Sequence, residues 1–185
     1  MKTKTSVIKT SIKRSSLRYG LFLTALALAC FPLSPTARAV CREGCDTNRE
    51  NTFLGDDALV HNTTGLSNTA IGYQALFSNI DGFTNTANGA FALYYNTFGN
   101  DNTATGYLAL SNNTTGIQNT VNGSGALESN RTGFQNMANG VNALDRNSTG
   151  YRNTANGVDA LISNRTGNRN TADGFQALYN KHWVR

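Results

Sequence analysis

Few residues in this 185-residue chain have the type and spacing to do chemistry. Cys41 and Cys45 lie four residues apart beyond an apolar leader. Exported cysteines so placed point to a disulfide. Bonded to each other they close a tight loop, and bonded across chains they staple an oligomer. They do not complete a tetrahedral metal set, and His61 and His182 fall at unrelated repeat positions. Catalysis needs a few unique, convergent groups. No G-x-S-x-G, H-E-x-x-H or phosphate loop is present, and Asp and Glu are scattered. The calcium-binding β-roll nonapeptide is also missing. The expectation is therefore a non-enzyme with no cofactor and no metal. What remains are aromatics at varying places: Tyr73, Phe77, Phe83, Tyr94, Tyr95, Tyr107, Phe134 and Tyr151. They are the candidate surface-binding group, and the competing role for them is to fill the core edge or a subunit interface.

Residues 1–39 read as an export address. Lys2, Lys4, Lys9, Lys13, Arg14 and Arg18 form a basic stretch without an acid, Leu21 to Phe31 is apolar, and Ala37-Arg38-Ala39 closes it. That order is a secretory signal peptide, with cleavage expected after Ala39 and Cys30 discarded with it. The apolar run is short of the roughly 20 residues that span a bilayer. Removing this segment takes away seven of the 16 Lys and Arg and none of the 11 Asp and Glu, turning a formal +5 into −2. No basic patch is left to recommend nucleic acid as a partner. No further apolar stretch supplies a transmembrane anchor.

The candidate aromatics sit on a repeat. Asn-Thr recurs every 17 residues from Asn51, with Asn136-Met137 as the one variant, giving eight units to the C-terminus. The consensus is N-T-A-x-G-x-x-A-L-x-x-N-x-T-G-x-x. Numbering each coil from its first Asn, position five is Gly55, Gly72, Gly89, Gly106, Gly123, Gly140, Gly157 and Gly174. Position nine is Leu59, Leu76, Leu93, Leu110, Leu127, Leu144, Leu161 and Leu178, always preceded by Ala. Position twelve is Asn62, Asn79, Asn96, Asn113, Asn130, Asn147 and Asn164, and position fifteen is Gly from Gly65 to Gly167. Gly suits a positive φ or a close backbone approach, so two per coil mark two corners. Asn tolerates the left-handed region, and identical Asn stacked coil on coil form a hydrogen-bond ladder. Ala and Leu are the expected interior. Positions seven and seventeen read as solvent positions, and six, ten and sixteen as core edge or interface.

A single unit cannot bury a core, but stacked units can. The predicted fold is all-β, a parallel β-solenoid (β-roll) of eight coils about 4.8 Å apart, with Ala-Leu as a second strand or a short helical turn. Residues 40–50 form an N-terminal cap, 51–185 the repeats, and the aberrant Lys181-His182-Trp183-Val184-Arg185 a C-terminal cap.

Asn68-Thr69-Ala70-Ile71-Gly72-Tyr73-Gln74-Ala75-Leu76 resembles the head repeats of trimeric autotransporter adhesins (YadA-like heads) and is similar to repeats of some phage tail fibres. The resemblance spans the eight units. It implies a parallel β-roll, three chains side by side, and a head that binds host, matrix or glycan surfaces. The family's head repeat is usually shorter, and no coiled-coil stalk or barrel anchor is seen, so a head-only secreted relative is expected. The function expected is thus an exported or surface-displayed structural protein with an adhesin-like binding role, forming a homo-oligomer, a trimer for preference. The alternatives are an ice-binding solenoid using the column Thr52, Thr69, Thr86, Thr103, Thr120, Thr154 and Thr171, which Met137 interrupts, and a ligand-free fibre or envelope component. The N-x-[ST] sequons that begin at Asn62, Asn113, Asn130, Asn147 and Asn164 are a by-product of the repeat.

Overall fold

The computed structural model describes residues 43–46 and 48–180, all within the unit Val40–Arg185. The expected signal segment, Cys41 and the residues 181–185 expected as a C-terminal cap lie outside the described residues, and so does the expected Cys41–Cys45 pairing.

The repeats fold as a β-solenoid, one coil per 17 residues. Each coil contributes one short strand: β2 (Asn51–Leu54), β3 (Thr69–Ile71), β4 (Thr86–Asn88), β5 (Thr103–Thr105), β6 (Thr120–Asn122), β7 (Met137–Asn139), β8 (Thr154–Asn156) and β9 (Thr171–Asp173). These eight stack in parallel, in chain order, in a single sheet. The register steps by one coil: Thr69 pairs with Thr86, Ala70 with Ala87. Before them, β1 (Glu43–Asp46) lies antiparallel on β2, with Cys45 opposite Thr52. This strand precedes the first coil and pairs with the β2 edge, where unpaired backbone would otherwise invite another chain.

Alternation within each strand sets the inside. Position three is buried in coils two to eight, from Ala70 through Val121 to Ala172, while positions two and four point outward. The core is that column plus Ala and Leu of positions eight and nine, with Phe53, Ala177 and Leu178 packed at its ends. The expected Ala-Leu interior is therefore present.

Its backbone differs from both expected forms. No helix occurs among the described residues. Position nine lies in the left-handed region in every coil, with φ from +50° at Leu76 to +56° at Leu178. A bulky residue there costs roughly 1–2 kcal/mol. Burying a Leu side chain returns about 2–3 kcal/mol, so burial wins, and glycine would forfeit it. Position seven is also left-handed in every coil and position seventeen in coils one to seven, whereas no Asn of position twelve is. Within the stack a left-handed residue bends the chain while its N–H still reaches a neighbouring coil: Leu76 donates to the Ala92 carbonyl at 3.0 Å and Gln74 to the Asp56 carbonyl at 2.9 Å. A helical turn would spend these donors within the coil. Position seventeen is solvent-exposed as expected, but position seven is mostly half-buried.

The two glycine columns work differently. At position five φ is positive (+127° at Gly72), and a Cβ there would sit 2.7 Å from the carbonyl carbon of Gly89. At position fifteen φ is ordinary, yet a Cβ on Gly82 would meet the Asn79 side chain and the Gly99 carbonyl. The corner at five needs both conformation and space, and the corner at fifteen needs space alone.

Candidate functional site

Two internal asparagine ladders hold the coils in register. At position twelve, the Asn96 amide donates to Asn79 Oδ1 at 2.9 Å and to the carbonyl of Gly99 at 3.0 Å. The pattern repeats from Asn79 to Asn164. The second ladder uses position one, which the sequence marks as the start of the period without assigning it a role. Asn51, Asn68, Asn85, Asn102, Asn119, Asn136, Asn153 and Asn170 are all buried. Asn85 Oδ1 accepts the backbone N–H of Asn102 at 3.1 Å, and the Asn85 amide donates to the Gly99 carbonyl at 2.8 Å. Both ladders thus converge on the same carbonyl of position fifteen, and the Asn side chains of position twelve, with the next coil's glycine carbonyl, leave no room for a Cβ there. Presence in every unit was the signal that could have identified position one as interior. Five of these ladder residues also begin sequons. In the fold Asn113, Asn130, Asn147 and Asn164 are buried with their amides engaged, and Asn62 is partly buried with its amide bonded to Gly65, so none presents a free acceptor nitrogen.

With the inside so regular, the coils differ from one another mainly on the outside. Positions six, seven, ten and eleven form one turn, and stacking brings their side chains together from coil to coil. In coils one to four this turn carries a continuous network of rings. His61 meets Phe77 edge-on at 4.4 Å, and Phe77 stacks on Tyr94 at 5.0 Å with planes 4° apart. Tyr94 touches Tyr95 at 4.5 Å and Phe91 at 5.7 Å. Phe91 meets Tyr73 at 5.2 Å and Tyr107 at 6.1 Å. Tyr73, Tyr95 and Tyr107 remain about half exposed, at 47 %, 52 % and 54 %.

Of the aromatics singled out from sequence, Tyr73, Phe77, Tyr94, Tyr95 and Tyr107 are brought together here. Phe83, Phe134 and Tyr151 are not: they belong to position sixteen, where Phe134 stacks on Tyr151 at 4.8 Å and Phe83 is exposed. Phe91 was missed. It occupies position seven, which reads as solvent-facing, yet it is the hub linking Tyr73, Tyr94 and Tyr107. Only the stacking of the turn makes positions six, seven and ten neighbours.

Along the same turn the character then changes. Position ten runs Phe77, Tyr94, Ser111, Glu128, Asp145. At the change lies an open concavity of about 350 Å³ lined by Phe91, Tyr94, Tyr95, Leu108, Ser111, Asn112 and Glu128. Burial, and then the charge of Asp145, hold the Glu128 carboxyl above the usual carboxylate range. Asp145 is raised too, by burial and by Asp159, with Arg146 opposing. The arrangement offers flat apolar rings with polar rims beside a carboxylate, groups suited to holding a ligand.

The sheet's outer face is the other regular surface. Position two aligns Thr52 through Thr171 in register, interrupted by Met137. Position four, which shares that face, reads Leu54, Ile71, Asn88, Thr105, Asn122, Asn139, Asn156 and Asp173. No described helix is long and apolar enough to cross a membrane. Compared with protein-family models, with curated proteins and with solved structures, the chain matches none.

Proposed function

We propose that this chain is an exported structural repeat protein whose solenoid displays the ring network of coils one to four as an adhesin-like, surface-binding patch. The observation that carries this reading is the half-exposed tyrosine trio Tyr73, Tyr95 and Tyr107 held on the Phe91 and Tyr94 rings. Rigid aromatics with polar tips give large contact area for little lost side-chain freedom. The frame beneath them is cross-bonded coil to coil, so the rings are preorganised and binding orders little. The basic, apolar and small-residue order of residues 1–39 supports export.

The test is retention of the purified protein on a panel of immobilised polysaccharides and matrix proteins. The triple substitution Tyr73→Ala, Tyr95→Ala, Tyr107→Ala is expected to weaken retention on any surface bound by at least about tenfold, since central aromatic anchors dominate such contacts. Retention unchanged by the triple variant would sink this reading.

A separate apolar group supports self-association. Leu66, Phe83, Phe98 and Ile117, from positions fourteen and sixteen, are each exposed. Exposed apolar side chains gathered on one side mark interaction sites. A homo-oligomer, with the trimer of the resembled family as first choice, would cover them, and light scattering with and without reductant reads both its mass and any staple through Cys41 and Cys45. The ice-binding alternative draws on the registered Thr column, but its companion row is asparagine-rich, and thermal hysteresis separates the two readings.

A further inference from the structure

The concavity beside Tyr95 lies where the ring network ends and the carboxylates begin. One wall is aromatic: Phe91, Tyr94 and Tyr95 from coil three. Ser111 and Asn112 of the next coil supply polar atoms, and Glu128 of the coil after that closes the far side. Among the described residues, no hydrogen bond or ion pair engages the Glu128 carboxylate. The charged groups acting on this stretch of the turn are Glu128, Asp145, Asp159 and Arg146, an excess of negative charge. A half-buried carboxylate with no partner, lining the same concavity as three aromatic rings, is complementary to a cation with a carbon skeleton. The ring quadrupoles attract the charge from one side and the carboxylate from the other.

We propose that this concavity binds a protonated amine on a compact carbon skeleton, the ammonium group directed to Glu128 and the skeleton lying against Tyr94 and Tyr95. The inference deepens the surface-binding reading, on which it rests for its biological use, by naming the ligand chemistry at one edge of the ring network. An acidic or anionic ligand is disfavoured there by Glu128 and by Asp145 behind it. A cation would offset the two effects that raise the Glu128 carboxyl, burial and like charge, so binding should lower that pKa and fade as acid protonates it.

Two sources carry this chemistry, an amino sugar and a simple organic ammonium ion. The experiment is a chemical-shift titration of the isotope-labelled protein, following the amides of Tyr95 and Asn112, with three probes. Glucosamine is the charged sugar, N-acetylglucosamine its uncharged counterpart, and cyclohexylammonium the protonated amine without a sugar. Glucosamine is expected to saturate with a Kd on the order of millimolar, as fits one small open site. N-acetylglucosamine should bind about tenfold more weakly, and Glu128→Gln should reduce glucosamine to that level, one decade corresponding to the loss of one partly exposed charge contact. Tyr95→Ala should weaken both cations by about fivefold. Saturation by cyclohexylammonium at the same amides assigns the site to protonated organic amines at large, and saturation by glucosamine alone assigns it to amino sugars. Equal binding of the two sugars with no effect of Glu128→Gln, or no saturable shift for either cation, overturns the proposal. Spectra of both variants that overlay the parent away from the concavity confirm that each is folded. Cation binding without retention on any immobilised surface would leave this inference standing and sink only the adhesive reading.

Discussion

Coils three and five are alike inside and opposite outside. Coil three buries Asn85, Ala87, Ala92, Leu93 and Asn96, and coil five buries Asn119, Val121, Ala126, Leu127 and Asn130. On the outer turn, coil three presents Phe91, Tyr94 and Tyr95, where coil five presents Gly125, Glu128 and Ser129. The interior residues each serve two coils at once. An Asn there accepts from one neighbour and donates to the other or to its own corner, so a change in one coil leaves a buried group unpaired in the next. The outer positions meet only their column neighbours and solvent. Keeping register therefore constrains the inside of every coil and leaves the outside free to vary.

If that division holds, interior substitutions should cost the same in both coils. The largest effect is expected from Gly89→Ala and Gly123→Ala. Both glycines have positive φ, and a new Cβ would fall on the carbonyl oxygen of Gly106 or Gly140 respectively. Coil separation is fixed by the sheet, so relief requires breaking it. Each should destabilise by about 3 kcal/mol or more in urea unfolding, combining backbone strain with overpacking. A loss below about 1 kcal/mol in either coil would break the argument from close approach.

Next in size is removal of a ladder rung. Asn85→Ala strips Asn102 of the acceptor for its backbone N–H, and Asn119→Ala does the same to Asn136. Leaving a buried donor unsatisfied costs about 1–3 kcal/mol, and the two values should agree within about 0.5 kcal/mol. Unequal losses would show that the outer skin contributes to the stability of its own coil.

The smallest effect belongs to the skin itself. The Glu128 carboxyl is raised above its ordinary value, so the folded chain binds that proton more tightly than the unfolded chain does. Its charge therefore opposes folding at neutral pH, and the penalty shrinks as pH falls toward the raised value. Glu128→Gln should raise stability at pH 7 by no more than a few tenths of a kcal/mol after solvent screening. That gain should vanish in thermal melts taken below about pH 4, where an ordinary Glu is itself largely protonated. A destabilised variant at neutral pH would mean the carboxylate is held by a favourable contact.

Much of this was legible before any coordinates. Period 17 followed from Asn-Thr alone, and constancy of Ala, Leu and Gly marked inside and corners. The ladder at position twelve was readable because identical amides at a fixed step must stack. Its partner at position one was passed over, since an Asn beginning a strand reads as a boundary. The left-handed leucines were beyond reach: propensity argues against such a conformation, and only burial in stacked coils outweighs it. Glycine and asparagine were the residues expected to take that role, and asparagine at position twelve does not. The candidate aromatics were nameable one by one, but their grouping was not. Tyr73, Phe91 and Tyr107 come from three coils, and Phe83 departs to another corner.

By itself, then, the sequence determined the coil length, the number of coils and the residues that never change, because a repeat kept in phase reports its own geometry. The tertiary structure decided which way each backbone turns and which variable side chains meet. Those outcomes depend on contacts 17 residues apart, where a Leu accepts strain to reach the core and a Phe from one coil joins tyrosines from its neighbours.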